Sequence, residues 1–259
     1  MASTASTAKP ENVALFGTLA ADWWDPDGSS KLLHRINPAR LGFIHGQAIA
    51  HFDRDPRARR GLLGLKALDV GCGGGLVAEP LARMGADVTG IDAGEQVIAV
   101  ARAHAEEQGL EIDYRAGDVV DLAGEKPGFF DLITCLEVVE HVADRRAFLR
   151  ALHDLLKPGG LLIYSTPNRT PQSYAVLIVG AERIARLIPD GGHHWKQFIT
   201  PAELADELAA AGLHPEPVHG LSWAPHKGFH ISGDKSVNYI GIAVRREETP
   251  VAGSHGRAF

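Results

Sequence analysis

From Lys66 onward, short dense apolar runs alternate with stretches whose apolar residues recur at helical spacing. Residues 67–70, 87–91, 112–115, 129–135 and 161–165 read as strands; residues 76–84, 96–108 and 146–156 read as helices between them. Strands this rich in apolar side chains fit a parallel sheet covered on both faces. This strand–helix alternation argues for a doubly wound α/β domain. Thr200-Pro201-Ala202-Glu203 has the form of a capping box with proline at the first helical position, so a helix is predicted from there to about Ala211. Residues 238–244 read as a late strand. Pro80 lies about one turn inside its predicted helix, where a first-turn proline is tolerated.

Upstream, Val13, Phe16, Leu19, Ala20 and Trp23 fall at helical spacing, and Asp25-Pro26-Asp27-Gly28 breaks that helix. The chain therefore divides into a disordered start (1–10), an N-terminal helical cap segment (11–60), a main domain (61–246) and a mobile tail (247–259). Within the main domain, about 170–199 reads as an insertion for substrate or membrane. With 259 residues, 45% apolar and 22% charged, the composition is that of a globular protein. The net charge of −6 argues against a broad basic face, so no nucleic-acid partner is expected. Cys72 and Cys135 form no Cys-x-x-Cys pair, which excludes a cysteine scaffold. The N-terminus has neither the apolar core of a secretory signal nor the arginines of a transit peptide. The uncharged stretch 170–181 is too short to span a bilayer, and a cytoplasmic location is expected.

Chemistry enters at Asp69-Val70-Gly71-Cys72-Gly73-Gly74-Gly75, between a predicted strand and a predicted helix. In parallel α/β sheets nucleotides bind at the carboxyl ends of the strands. Asp92 ends the next strand, where an acid can accept hydrogen bonds from both ribose hydroxyls. The dinucleotide fingerprint requires Gly or Ala where this chain has Leu76, and no Gly-Lys-Ser/Thr phosphate loop is present. An adenosine ligand without phosphates fits best, namely S-adenosylmethionine, with Asp69, Gly71, Gly73 and Asp92 as candidate contacts. Asp118 either accepts from the adenine amino group or is an ordinary helix N-cap.

These motifs, with Phe130-Asp-Leu-Ile-Thr134 and Leu156-Lys-Pro-Gly-Gly160, resemble the class I S-adenosylmethionine-dependent methyltransferases. That resemblance implies a Rossmann-like, seven-stranded, mostly parallel sheet with helices on both faces. Trp23-Trp24-Asp25, the run Leu33 to Ile44, Cys135-Leu-Glu-Val-Val-Glu-His-Val142, Ser165-Thr-Pro-Asn-Arg169, Val179-Gly-Ala-Glu182 and Val237-Asn-Tyr239 are similar to the ubiquinone-biosynthesis O-methyltransferases. The resemblance implies methylation of catechol hydroxyls on a polyprenylated ring at two steps of that pathway, and participation in a ubiquinone-biosynthesis complex. It carries cofactor contacts onto Arg40, Gly71, Asp92 and Leu136.

A phenol titrates near pH 10, so a general base or a bound divalent cation would ease the transfer. Glu137, Glu140 and His141 are the candidates. The resemblance carries Mg²⁺ onto all three; the alternative is metal-free proton transfer by Glu140 and His141. His193 and His194 either line the substrate pocket, with Trp195 stacking on the ring, or belong to a surface loop. Residues 174–188 place Leu177, Ile178, Ala181, Ile184, Ala185 and Ile188 on one helical stripe opposite Glu182, Arg183 and Arg186. That helix either docks at an inner-membrane interface or packs on the sheet or over the pocket. Two rival functions remain open at this point: a methyltransferase for another small molecule, and a non-catalytic cofactor-binding protein.

Overall fold

The computed structural model describes residue 7 and residues 9–177 and 195–247. Five parallel strands form the heart of the sheet: β1 (Lys66–Val70), β2 (Asp87–Asp92), β3 (Asp113–Ala116), β4 (Phe130–Leu136) and β5 (Leu156–Pro167). Beyond β5 come β6 (His214–Pro215), β7 (His219–Ala224), β8 (Gly228–Ser232) and β9 (Asn238–Val244). The strand order is β3-β2-β1-β4-β5-β9-β7-β8, with β6 also paired to β9. Order reverses between β1 and β4, the position at which such sheets open a crevice.

The sheet thus has nine strands among the described residues, where seven were expected. The additions are the two-residue β6 and the β7–β8 hairpin at one edge. His219-Gly-Leu-Ser-Trp-Ala224 lacks a regular apolar face, and no residue of β8 is fully buried, so neither strand announces itself. Strand β5 also begins earlier than expected, at Leu156, because Lys157-Pro158-Gly159-Gly160 forms an irregular start to the strand.

Helices cover both faces. On one lie α2 (Lys31–His51), α3 (Ala78–Arg83) and α4 (Glu95–Glu107), which bury Ile44, Ala48, Leu81, Ile98 and Ala101 against Ala67, Leu132 and Ile163. On the other lie α5 (Val119–Glu125), α6 (Arg145–Leu155) and α8 (Pro201–Ala210), which bury Leu122, Phe148, Leu152, Leu204 and Leu208 against Leu68, Ile133 and Leu162. Pro80 is the third residue of α3, where no intrahelical donor is needed. Thr200 and Glu203 close the reciprocal capping box that starts α8. The first helix, α1 (Pro10–Thr18), leads through a 3-10 turn at Ala20–Asp22 to Trp23 and Trp24. A short helix, α7 (Pro171–Ser173), follows β5. No described helix is long and apolar enough to cross a membrane.

Candidate active site

The glycine loop leaves β1 beside β2, where the Gly71 and Cys72 amides donate to the Ile91 carbonyl at 2.8 and 3.1 Å. Gly73 has φ +51° and lies so close to the Trp23 ring that a Cβ there would sit 2.3 Å from it. Only glycine meets both demands. Asp92, at the end of β2, ties the loop down: its carboxylate accepts from the Gly73 amide at 3.0 Å and the Gly94 amide at 2.8 Å. Burial raises its pKa, and these two amides oppose the rise.

A cleft of about 1120 Å³, partly open to solvent, runs along the carboxyl ends of the strands; Gly71, Gly73, Asp92, Asp118, Leu136, Glu137 and His141 line it. A smaller lobe of about 410 Å³ shares Trp23, Leu33, Val70, Gly71 and Leu136 with it and is floored by Asp69 and Arg40. Asp69 is buried and accepts from Thr134 Oγ1 at 2.7 Å; burial pushes its carboxyl up to about 7. Arg40, buried on α2, pairs with Glu137 at 2.9 Å, while its Nε has no hydrogen-bond partner. The pieces suit S-adenosylmethionine. A carboxylate faces where a ribose would lie, a second carboxylate and an orphaned guanidinium nitrogen face where an amino acid would lie, and a glycine-rich loop runs between them.

Asp118 caps α5 by accepting from the Val120 amide at 2.9 Å, and its carboxylate also receives the Thr7 amide at 2.5 Å and the Thr7 hydroxyl at 2.9 Å. The helix-cap role is therefore present, and the side chain still borders the cleft.

Past β4 the backbone turns sharply at Glu137, which has φ +56°. Its carboxylate takes Ser165 Oγ at 2.6 Å, Asn238 Nδ2 at 2.9 Å and Arg40. Glu140 is 1% exposed; one oxygen accepts from Thr166 Oγ1 at 2.8 Å and the other, unpartnered, lies 3.9 Å from His141 Nε2. Burial, then the nearby Glu137 charge, pushes the Glu140 carboxyl up to about 8. Of the two readings left open for Glu137, Glu140 and His141, the shared cation is the one this geometry does not favour. The oxygens of Glu137 are taken by protein donors, Glu140 is buried and favours its neutral form, and no group of three or more His, Cys, Asp or Glu among the described residues could hold a metal ion. What remains is an imidazole at the cleft wall backed by a buried carboxyl.

His193 and His194, like most of the apolar stripe at 174–188, lie outside the described residues. Trp195 does not line the cleft; its indole donates to the Thr170 carbonyl at 2.9 Å and meets Tyr174 edge to face at 6.1 Å. Tyr174 and Val176 are exposed where that stripe begins. Sequence reasoning missed the supports: Thr134 behind Asp69, Ser165 and Asn238 behind Glu137, Thr166 behind Glu140, and Thr7 on Asp118. Four of these five stand in segments whose motifs stood out in the sequence while their own contacts did not.

Comparison with known proteins agrees with this geometry. Residues 68–164 match the family model described as a methyltransferase domain. A ubiquinone biosynthesis O-methyltransferase from Ruegeria pomeroyi is 51% identical over 93% of this chain and 97% of its own length. One from Azorhizobium caulinodans is 49% identical over 91% and 93%. Among solved structures, magnesium protoporphyrin IX methyltransferase from Synechocystis, with bound SAH, superposes with a TM-score of 0.56 at 22% identity, covering 83% of this chain and 87% of that one.

Proposed function

The chain belongs to the ubiquinone biosynthesis O-methyltransferase family and is an S-adenosylmethionine-dependent O-methyltransferase, and we propose that its acceptors are catechol hydroxyls of polyprenylated ring intermediates at two steps of the pathway. The observation that carries this reading is the cleft where Asp69, Asp92 and the glycine loop converge, with His141 on the same wall.

When bound, S-adenosylmethionine supplies an electrophilic methyl group on a positive sulfonium, which leaves as a neutral thioether. Asp92 holds the ribose hydroxyls, and Asp118 faces the adenine. Asp69, ionised, receives the ammonium of the amino-acid end, and Arg40 receives its carboxylate through the nitrogen now unpartnered. Gly71 and Gly73 let the backbone approach, and Leu136 packs between the two lobes. His141 takes the proton from the attacking hydroxyl, so that oxygen bears charge only as the bond to carbon forms. Glu140, 3.9 Å from the imidazole, stabilises the imidazolium once it is ionised. Glu137, fixed by Arg40, Ser165 and Asn238, sets the wall of the cleft between the cofactor lobe and the acceptor.

The acceptor's isoprenoid tail dissolves in lipid, and Tyr174 and Val176, at the start of the 174–188 segment, are exposed. Peripheral contact of this segment with the inner membrane, and association with other enzymes of the pathway, belong to the same proposal. His194 is proposed as an acceptor-side residue. Deletion of the gene, followed by mass spectrometry of quinone precursors, tests the reading: an unmethylated polyprenyl catechol should accumulate. A normal quinone pool with no such precursor would refute it.

A further inference from the structure

Outside the cleft, behind the glycine loop, sits a second cluster of functional side chains. Trp24 Nε1 donates to the Gly74 carbonyl at 2.9 Å, which ties the indole to the cofactor loop. The same indole lies flat on the His104 imidazole, with ring centroids 3.6 Å apart and planes 9° from parallel. His104 Nδ1 is 2.6 Å from Glu79 Oε1, and that carboxylate is buried, with Arg83 at 3.4 Å from its other oxygen. His34 closes the far side, edge-on to Trp24 at 6.2 Å, and its Nε2 is 2.9 Å from the Trp23 carbonyl. The neighbour so fixed, Trp23, packs on Gly73 and Gly74 and lines both lobes of the cleft.

From this arrangement we infer that His104 is a positioning residue for the cofactor site: held by Glu79, it is the platform on which Trp24 rests, and Trp24 in turn fixes the glycine loop. The inference rests on the cofactor reading above and adds a residue 12 positions beyond Asp92 that touches neither cofactor nor acceptor. The Trp23-Trp24 pair then divides its work, one indole covering the loop and the other pinning it from behind. An aromatic stacked on a ring that a buried carboxylate orients loses little further freedom when the ligand arrives, so the loop is preorganised.

The test is calorimetric titration of S-adenosylhomocysteine into the full chain and into His104→Ala, His104→Phe and Trp24→Phe, each checked by its melting curve without ligand. His104→Ala should weaken binding about tenfold, and His104→Phe, which keeps a flat ring under Trp24, should recover most of that loss. Trp24→Phe keeps the stack but removes the donor to Gly74 and should weaken binding several-fold. In turnover the Michaelis constant for S-adenosylmethionine should rise while kcat and the Michaelis constant for the catechol stay as in the parent. Binding by His104→Ala equal to the parent, or His104→Phe as weak as His104→Ala, would overturn the inference. If His104→Ala does not fold, the phenylalanine variants decide: both must fold, with only Trp24→Phe clearly weakened. Failure of the parent itself to take up the ligand would instead sink the cofactor reading.

Discussion

Replacing Glu140 by Gln isolates the group on which proton transfer turns. The amide keeps the acceptor for Thr166 Oγ1 and the shape of the side chain, but it cannot ionise. In the parent, burial raises this carboxyl from 4.5 to about 8, so the fold prefers its neutral form. The stability that Glu140 contributes is therefore complete below the ordinary carboxyl value and is lost as pH rises through about 8. Linkage puts the upper limit of that loss at about 4 kcal/mol between about pH 5 and about pH 9. Relaxation of the interior around a buried charge reduces it, and about 2 kcal/mol is expected. Asp69 titrates in both proteins and cancels in the comparison. Urea unfolding of both proteins at the two pH values reads the difference: the variant should gain about 2 kcal/mol on the parent in going from acid to alkaline solution, or ~4–8 °C in Tm. A constant offset superposed on that pH-dependent change would report only that the new amide nitrogen lacks a partner. A gap that does not widen with pH would refute the claim that Glu140 is buried and neutral near pH 7. In turnover the same variant should lose the rise in rate that ionisation of Glu140 gives the parent above neutrality.

Gly73→Ala forces a methyl group against the Trp23 ring at a left-handed φ; a loss of about 2–4 kcal/mol in stability and a cofactor Kd raised more than tenfold are expected, by melting curve and calorimetry. Asp69 ionises only above about 7, so cofactor affinity should strengthen as pH rises through that value, and Asp69→Asn should flatten the profile in a titration series. Because the oxygens of Glu137 are spent on Arg40, Ser165 and Asn238, stringent chelation of divalent ions should leave methyl transfer unchanged. Loss of activity restored by Mg²⁺ would count against that.

The parallel core was legible because β1, β4 and the later part of β5 are dense apolar runs, and the ligand end of the sheet followed from Gly71 and Asp92. The β7–β8 hairpin was not, since its half-exposed residues carry no period. Helix α2 was read only as part of a helical cap. Pro38 lies within it, and its inward residues include Asn37 and Arg40, polar groups that break an apolar stripe. At the site, spacing put Glu137, Glu140 and His141 together and suggested a shared cation. Spacing alone says nothing of the side chains arriving from β5, β9 and α2, and those are what occupy Glu137. Asp118 was left between two roles because an N-cap and a ligand acceptor use the same carboxylate.

The most direct measurement supplies the purified chain with S-adenosylmethionine labelled in its methyl group and a polyprenylated catechol. Label is expected on a single ring oxygen of the product, with demethylated cofactor in equal amount. Label on carbon or nitrogen, or cofactor bound without any transfer, would contradict O-methylation by this chain.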